Sequence, residues 1–390
     1  MSEIFKPETE AEVLEAVQWA ISGNAKTLEI VGHGTKRGLG APMDTDGVLD
    51  LSGLSGITLY EPEELVMTAK AGTPLSEVQT ALDEARQMLA FEPWATDHIY
   101  GTEGGTVAGL FASAVAGPRR PQVGSARDHM LGFHAVSGRG EEFKSGGRVV
   151  KNVTGFDLTK LMAGSMGTLA VLTDISFKVL PRPEKCRTVL VFGAPDPGRA
   201  MRDAQNSPYE VTAVAHLPPD IAARSGVSYV SAAGVGVTAV RVEGPAPSVE
   251  ARCVALRDAL CVHGEIEELH THNTLRLWRE IRDVKLLSQD DPLWRISVAP
   301  SDGPRVVESL MNGEHYFDWA GGLIWMTQPL VDADGVRAAL NGGHATLMRA
   351  PDEVRARVPV FHPQDDGVAA LTRRVRAGFD PHGILNPGRM

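Results

Sequence analysis

The sequence predicts an α+β protein in two main parts, on three observations. Its 390 residues suffice for two domains with ample cores. Up to Pro181-Arg182-Pro183, short strand patterns interleave with amphipathic helix patterns, and the proline pair marks a boundary. Beyond it, strand patterns alternate regularly with helix patterns.

In the first part, Thr9-Glu10-Ala11-Glu12 reads as a capping box. Val13, Leu14, Val17 and Ile21 form one apolar face of the helix that follows. A short apolar strand spans Leu28–Val31, and further strands are expected near residues 48–51, 57–60 and 66–71. Thr73 before Pro74 reads as an N-cap with proline at the first helical position, opening a helix to about Gln87. Residues 130–136 and 141–144, split by Gly138-Arg139-Gly140, read as a hairpin. A helix over 157–162 breaks at Gly164 and Gly167. In the strand that follows, Leu169, Val171, Ile175, Phe177 and Val179 all fall on odd positions, as a half-buried strand requires.

In the second part, strand candidates 188–192, 210–216, 237–242 and 294–298 alternate with helix candidates 198–204, 246–262 and 273–284. This alternation predicts a sheet with helices on one side. Residues 317–326 read as a core strand, and residues 365–377 as a last helix.

Composition excludes several function classes. The formal charge of −11 argues against nucleic acid, whose phosphates call for basic stripes. Cys186, Cys253 and Cys261 show no Cys-x-x-Cys pair and are expected as reduced thiols of a cytoplasmic protein. Three cysteines also fall short of the four that an iron–sulfur cluster takes. The first residues, Met1-Ser2-Glu3-Ile4-Phe5-Lys6, lack the basic and apolar regions of a signal peptide. Residues 104–118 are uncharged up to Pro118 but too short and glycine-rich for a bilayer span, which needs roughly 20 apolar residues.

Three glycine-rich stretches carry the chemistry. In the first, the strand at Leu28 runs into Gly32-His33-Gly34-Thr35-Lys36-Arg37-Gly38. Thr35 offers a hydroxyl, and Lys36 and Arg37 add charge suited to phosphates. Gly38, Gly40 and Pro42 follow, so no helix starts, and the Gly-x-Gly-x-x-Gly dinucleotide fingerprint is not met. In the second, Gly104-Gly105-Thr106 opens a run of tiny side chains through Gly109 to Gly117. Peptide N–H groups turned inward there would favour a pyrophosphate, while close packing of a small-residue helix on a sheet explains the same residues. The third is Lys151-Asn152-Val153-Thr154-Gly155-Phe156-Asp157-Leu158, continuing to Gly164-Ser165-Met166-Gly167-Thr168-Leu169 and the strand through Val171.

With the ending Phe379-Asp380-Pro381-His382-Gly383-Ile384-Leu385-Asn386-Pro387-Gly388-Arg389-Met390, these stretches resemble FAD enzymes of the vanillyl-alcohol oxidase (PCMH) type, over about half the chain. Within that family, the Gly117-Pro118-Arg119-Arg120-Pro121 turn and Arg127-Asp128-His129-Met130-Leu131-Gly132 resemble the FAD-binding E subunits of bacterial glycolate oxidase. The resemblance implies a PCMH-type FAD-binding domain over 1–183, an α+β cap domain over 184–330, and a segment 331–390 returning to the FAD domain. It implies FAD contacts at Gly32, His33, Gly34, Thr35, Lys36, Gly104, Gly105, Thr106, Gly109, Gly167, Val171 and Asn386. Relatives that tether flavin use a histidine where this chain has Thr35, so the FAD is expected to be non-covalent.

The implied function is that of an FAD-binding subunit of a multi-subunit glycolate oxidase, forming glyoxylate. Its partners would be a second FAD subunit and an iron–sulfur subunit, with a small 2-hydroxy acid as substrate. Localisation would be cytoplasmic, reaching the inner face of the membrane through those partners. The alternatives are a self-sufficient FAD oxidase or dehydrogenase of another hydroxy acid or alcohol, and a non-catalytic flavin scaffold. No catalytic base stands out. The His-x-Gly-Asp-Gly-Asn-x-His type of metal segment found in related hydroxyacid dehydrogenases is absent. His263, His270 and His272 near Cys261 show no recognised metal-ligand spacing and read as a solvated surface. Arg119 and Arg120 read either as a solvated turn or as an anion clamp, since arginine's planar fork suits carboxylates.

Overall fold

Strand Leu28–Val31 is the structural origin of the first part. It pairs in parallel with Gly47–Asp50, which pairs on its other edge with Glu3–Phe5. The computed structural model describes residues 3–23, 26–148, 155–310 and 313–390, so Lys151, Asn152, Val153 and Thr154 of the third glycine-rich stretch lie outside the described residues. A second, antiparallel sheet runs in the order Ile57–Glu61, Val66–Lys70, Ala170–Lys178, Met130–Ser137, Glu142–Gly146. The helix Glu10–Ser22 joins the two sheets. Its Trp19 meets Phe5 with ring centroids 4.7 Å apart, and the helix contacts Met130–Ser137 and Ala170–Lys178 on its other side.

Local chemistry departs from expectation at two helix starts. Thr9 caps the first helix by accepting from the Glu12 N–H, but the Glu12 carboxylate accepts from Glu8 rather than from Thr9, so the box is only half formed. Thr73 is not an N-cap. Its buried hydroxyl donates to the Lys70 carbonyl at 2.7 Å, closing the turn after Val66–Lys70, and Pro74 takes the cap position of the helix Leu75–Glu84. That helix stops short of Gln87 because Gln87–Met88 pairs with Leu180–Pro181. The helix expected over 157–162 shrinks to Thr159–Met162.

The second part is one eight-stranded antiparallel sheet. Its order is Glu265–Leu269, Lys185–Phe192, Val237–Gly244, Ala213–Leu217, His315–Asp318, Leu323–Thr327, Leu293–Ser297, His344–Arg349. One face, carrying Val189, Val191, Val214, Val240 and Ile296, is covered by the helices Pro197–Gln205 and Ala246–Leu260. The other face, carrying Leu190, Ala215, Leu217, Ala239 and Trp325, merges with the core of the first part. The helix Thr271–Arg282 lies on that second face through Leu277, Trp278 and Ile281, which corrects the expectation of helices on one side. The reason is visible in runs such as Val189-Leu190-Val191, which are apolar at both parities and need cover on both faces.

Two further expectations shift. Residues 317–326 form a hairpin rather than one strand, because Trp319, Ala320 and Gly321 turn the chain with φ of 52°, 54° and 96°. The return to the first part does not start at residue 331, since His344–Arg349 still closes the edge of the eight-stranded sheet. It comes with the helix Asp366–Phe379, whose Phe379 meets Phe143 at 5.9 Å, and with Leu385, which bridges in parallel to Leu28. The buried Asp380 carboxylate holds this tail by accepting from the N–H groups of Ile384 and Leu385 at 3.1 and 2.9 Å.

Candidate cofactor cleft

The loop after Leu28–Val31 turns without entering a helix, through Arg37 N–H to Gly34 carbonyl and Leu39 N–H to Lys36 carbonyl bonds of 3.3 and 3.0 Å. It is pressed onto the Gly104-Gly105-Thr106 stretch. A Cβ on Gly32 would sit 2.3 Å from Thr106 Oγ1, so no larger residue fits there without moving one loop. Thr106 caps the helix Val107–Ser113 by accepting from Gly109 N–H at 3.3 Å. Gly105, at φ +134°, turns the chain so that its Cβ position would lie 3.6 Å from Thr35 Oγ1 and 3.8 Å from Lys36 Nζ.

The third stretch and the tail close the other side. The Asn386 side chain accepts from Ile30 N–H and donates to the Met166 carbonyl, both at 2.7 Å, across 356 and 220 residues of sequence. Arg389 donates to the Lys36 carbonyl at 2.7 Å. Residues from both ends of the chain thus frame a single cleft of about 800 Å³, including the part open to solvent.

Gly32, His33, Gly34, Thr35, Lys36, Thr106, Gly109, Gly167 and Asn386 all line this cleft. Gly104 and Gly105 stand behind the lining, against His33 and against Thr35 and Lys36. Val171 does not reach it with its side chain: Ala170 and Leu172 line the cleft, and Val171 is fully buried between them on the opposite face of the strand. Ala108, inside the Gly104–Gly109 stretch, lines the cleft as well, while Leu51, Ala112 and Arg389 line it and escaped sequence reasoning. Ala108 and Ala112, four apart on a small-residue helix, were the detectable signal.

Of the two cations in the first loop, only one is free. Arg37 is paired with Glu29 through two bonds of 2.8 Å. Lys36 is largely buried, and its ammonium has no hydrogen-bond or ion-pair partner among the described residues; burial pushes its pKa down to about 8. The cleft therefore combines small side chains, close backbone and one uncompensated buried cation, which suits an elongated anionic ligand.

The arginine pair after Gly117 divides. Arg119 is neither a solvated turn nor a clamp: it is buried, paired with Glu243 and 3.5 Å from Glu92 at the seam between the two parts. Arg241 reaches Glu92 through two bonds of 2.8 Å in the same seam. Arg120 is exposed and lies 4.4 Å from the Trp319 ring centroid, with Arg295 4.9 Å from the same ring. His263 sits 3.0 Å from Asp203. Among the described residues no group of three His, Cys, Asp or Glu side chains is placed to hold a metal, and no helix is long and apolar enough to cross a membrane. The buried Asp318 is pushed up to about 7 by burial, but it lies outside the cleft lining.

Comparison with known proteins bears on the family and the fold. Residues 2–146 match the family described as FAD binding domain. The chain is 38% identical over 381 residues to glycolate oxidase subunit GlcE of Escherichia coli (strain K12), covering 97% of this chain and 96% of that protein. It is 30% identical over 168 residues to glycolate oxidase subunit GlcD of Bacillus subtilis (strain 168), covering 42% of this chain and 34% of that protein. In fold it resembles p-cresol methylhydroxylase in a substrate-bound crystal structure, with a TM-score of 0.70 at 14% identity over 99% of this chain and 88% of that one.

Proposed function

Because the chain belongs to the GlcE family of glycolate oxidase subunits, an FAD-linked oxidoreductase family, we propose that it serves as a flavin-binding subunit of a multi-subunit glycolate oxidase, contributing to oxidation of glycolate to glyoxylate. The observation that carries the site assignment is Lys36, a buried cation left without a counter-charge in a cleft walled by small residues. FAD, when bound, supplies the ability to take a hydride and to release electrons singly. The chain's own residues bind and orient it. Lys36 offers positive charge to an anionic diphosphate, Thr35 offers a hydroxyl, and Gly32 and Gly34 keep side chains out of the way. Asn386 locks the tail against Ile30 and Met166, so that the cleft keeps its shape. Gly104 and Gly105 support the Thr35–Lys36 turn from behind, and Val171 contributes only through its main chain.

Several features support a partner-dependent subunit. Of the carboxylate and imidazole groups in the cleft lining, Glu29 is paired with Arg37 and His33 belongs to the glycine loop assigned to the cofactor, so no base is assigned to the substrate hydroxyl proton, where general-base help is typically worth ~10²–10⁴-fold. Three cysteines, two of them buried, leave onward electron transfer to an iron–sulfur partner subunit. A second FAD subunit, a relative of the GlcD type, would hold the main substrate site. The complex would work in the cytoplasm, at the inner face of the membrane through its partners.

Co-expression with the partner subunits, compared with the chain alone, tests this reading with glycolate and a dye acceptor. The complex is expected to reduce the dye and the lone chain to do so poorly. Equal rates would make the chain a self-sufficient oxidase or dehydrogenase. Acid precipitation is expected to leave yellow FAD in the supernatant, since Thr35 stands where a tethering histidine would; flavin in the pellet would overturn the non-covalent assignment.

A further inference from the structure

A groove lined in part by the helix Asp366–Phe379 carries side-chain charge of one sign. It encloses about 2050 Å³, including the part open to solvent. Its cationic lining is Arg127, Lys160, Arg355, Arg357, Arg373, Arg376 and Arg389, and among the described residues no Asp or Glu side chain lines it. In a chain with 38 Lys and Arg against 49 Asp and Glu, such a surface is against the general balance.

Three of these cations are already engaged. Arg355 pairs with Asp352 and donates to the Gly40 carbonyl, Lys160 is 3.7 Å from Asp157, and Arg389 donates to the Lys36 carbonyl. Arg127, Arg357, Arg373 and Arg376 have neither a side-chain hydrogen bond nor an ion pair among the described residues. Apolar surface accompanies them. The helix Asp366–Phe379 buries none of its residues, and Leu371, which lines the groove, is 52% exposed, as is its neighbour Val368 at 51%.

The groove also shares a wall with the cofactor cleft. Ser165 and Thr168 line the groove while Met166 and Gly167 between them line the cleft, and Arg389 lines both. We propose that this groove is the docking surface for a partner subunit of the complex, and that it takes an acidic segment carrying apolar side chains. The inference rests on the subunit reading above. Guanidinium groups pair with carboxylates in a two-bond fork, so unpaired arginines around an apolar floor match a segment in which Asp or Glu alternates with Leu- or Val-like residues. Docking there sets the partner one chain segment away from the cofactor cleft. Opposed charge also speeds encounter and makes it salt-dependent.

The test uses the co-expressed complex and two variants on opposite walls, the double variant Arg373→Glu/Arg376→Glu and the single variant Arg357→Glu. Association of the wild-type chain with its partner subunits is expected to weaken as salt rises. Each variant is expected to associate at least roughly 10-fold more weakly and with a shallower salt dependence, as loss of interfacial charge pairs dictates. Flavin content and melting temperature of the isolated variants are expected to match wild type, because none of the three residues lines the cofactor cleft and none is paired. Wild-type assembly that both variants retain within twofold overturns the docking surface alone. Failure of the wild-type chain to associate overturns the subunit reading and the docking surface with it. Intact assembly combined with variant-sensitive pelleting on phosphatidylglycerol vesicles, or with variant-sensitive self-association, overturns it in favour of an anionic membrane or a second copy.

Discussion

Two regions of the molecule use arginine in opposite ways. At the seam between the two parts, three guanidinium groups are matched by carboxylates: Arg241 with Glu92, Arg119 with Glu243 and Glu92, Arg282 with Asp283 at 2.8 and 2.9 Å. Burial alone would raise Glu243, but Arg241 and Arg119 hold it down to about 2. In the groove under the C-terminal helix, four guanidinium groups form no ion pair among the described residues. The difference follows from solvent. An unpaired charge costs several kcal/mol when buried and little when water surrounds it. Charges matched inside the chain hold its parts together, and charges left unmatched at the surface are available to something else. Lys36 belongs to neither class, being buried and unmatched, which is tolerable where a ligand brings the counter-charge.

The comparison breaks first at Glu92. Glu92→Ala leaves Arg241 and Arg119 short of a partner inside the seam, and urea unfolding is expected to show a loss of about 3–5 kcal/mol. A loss no larger than that of an ordinary surface change would mean the seam is not held by its charges. Next comes Gly32→Val, which places side-chain atoms where Thr106 already lies. Flavin content should vanish, and the flavin-free protein should lose about 1–3 kcal/mol from overpacking. A variant that keeps its flavin would show that the two loops part easily.

The smallest effect is the pH response of Lys36. Burial holds it at about 8 against an ordinary value of 10.5. Between these values the unfolded chain binds the proton more tightly than the folded one, so flavin-free protein should gain stability as pH rises from 8 to 10.5. Lys36→Met should abolish that rise. Flavin affinity should run the other way, declining above pH 8 as the ammonium is lost, and the variant should bind FAD more weakly at pH 7 with no such slope. A flat wild-type affinity profile would show that Lys36 does not face the cofactor's charge.

Much of this site was legible because its signals are local. The strand Leu28–Val31, the helix-free glycine loop after it, and the odd-position burial of Val171, Ile175 and Phe177 all follow from residues adjacent in sequence. Where partners are remote, local pattern failed. Thr73 looks like a cap until Gly56, 17 residues before it, engages its hydroxyl, and Arg119 looks solvated until Glu243 arrives from the second part. The contribution of Val171 was misjudged by parity: the residues that face the core cannot also face the cleft. Arg37 and Lys36 are chemically alike in the sequence, and only the position of Glu29 separates the spent charge from the free one. Asn386 was reachable through the resemblance of the tail and through no local rule, since its contacts span most of the chain.

Those long contacts have a consequence for biosynthesis. A ribosome emits residues 28–37 early, yet the cleft they begin is framed by Asn386 and Arg389, which emerge long after them. If the cleft holds the flavin as proposed, loading is expected only after residues 386–389 have been made. A product lacking Asn386 leaves Ile30 and Met166 without their bridge, and is expected to hold the cofactor poorly.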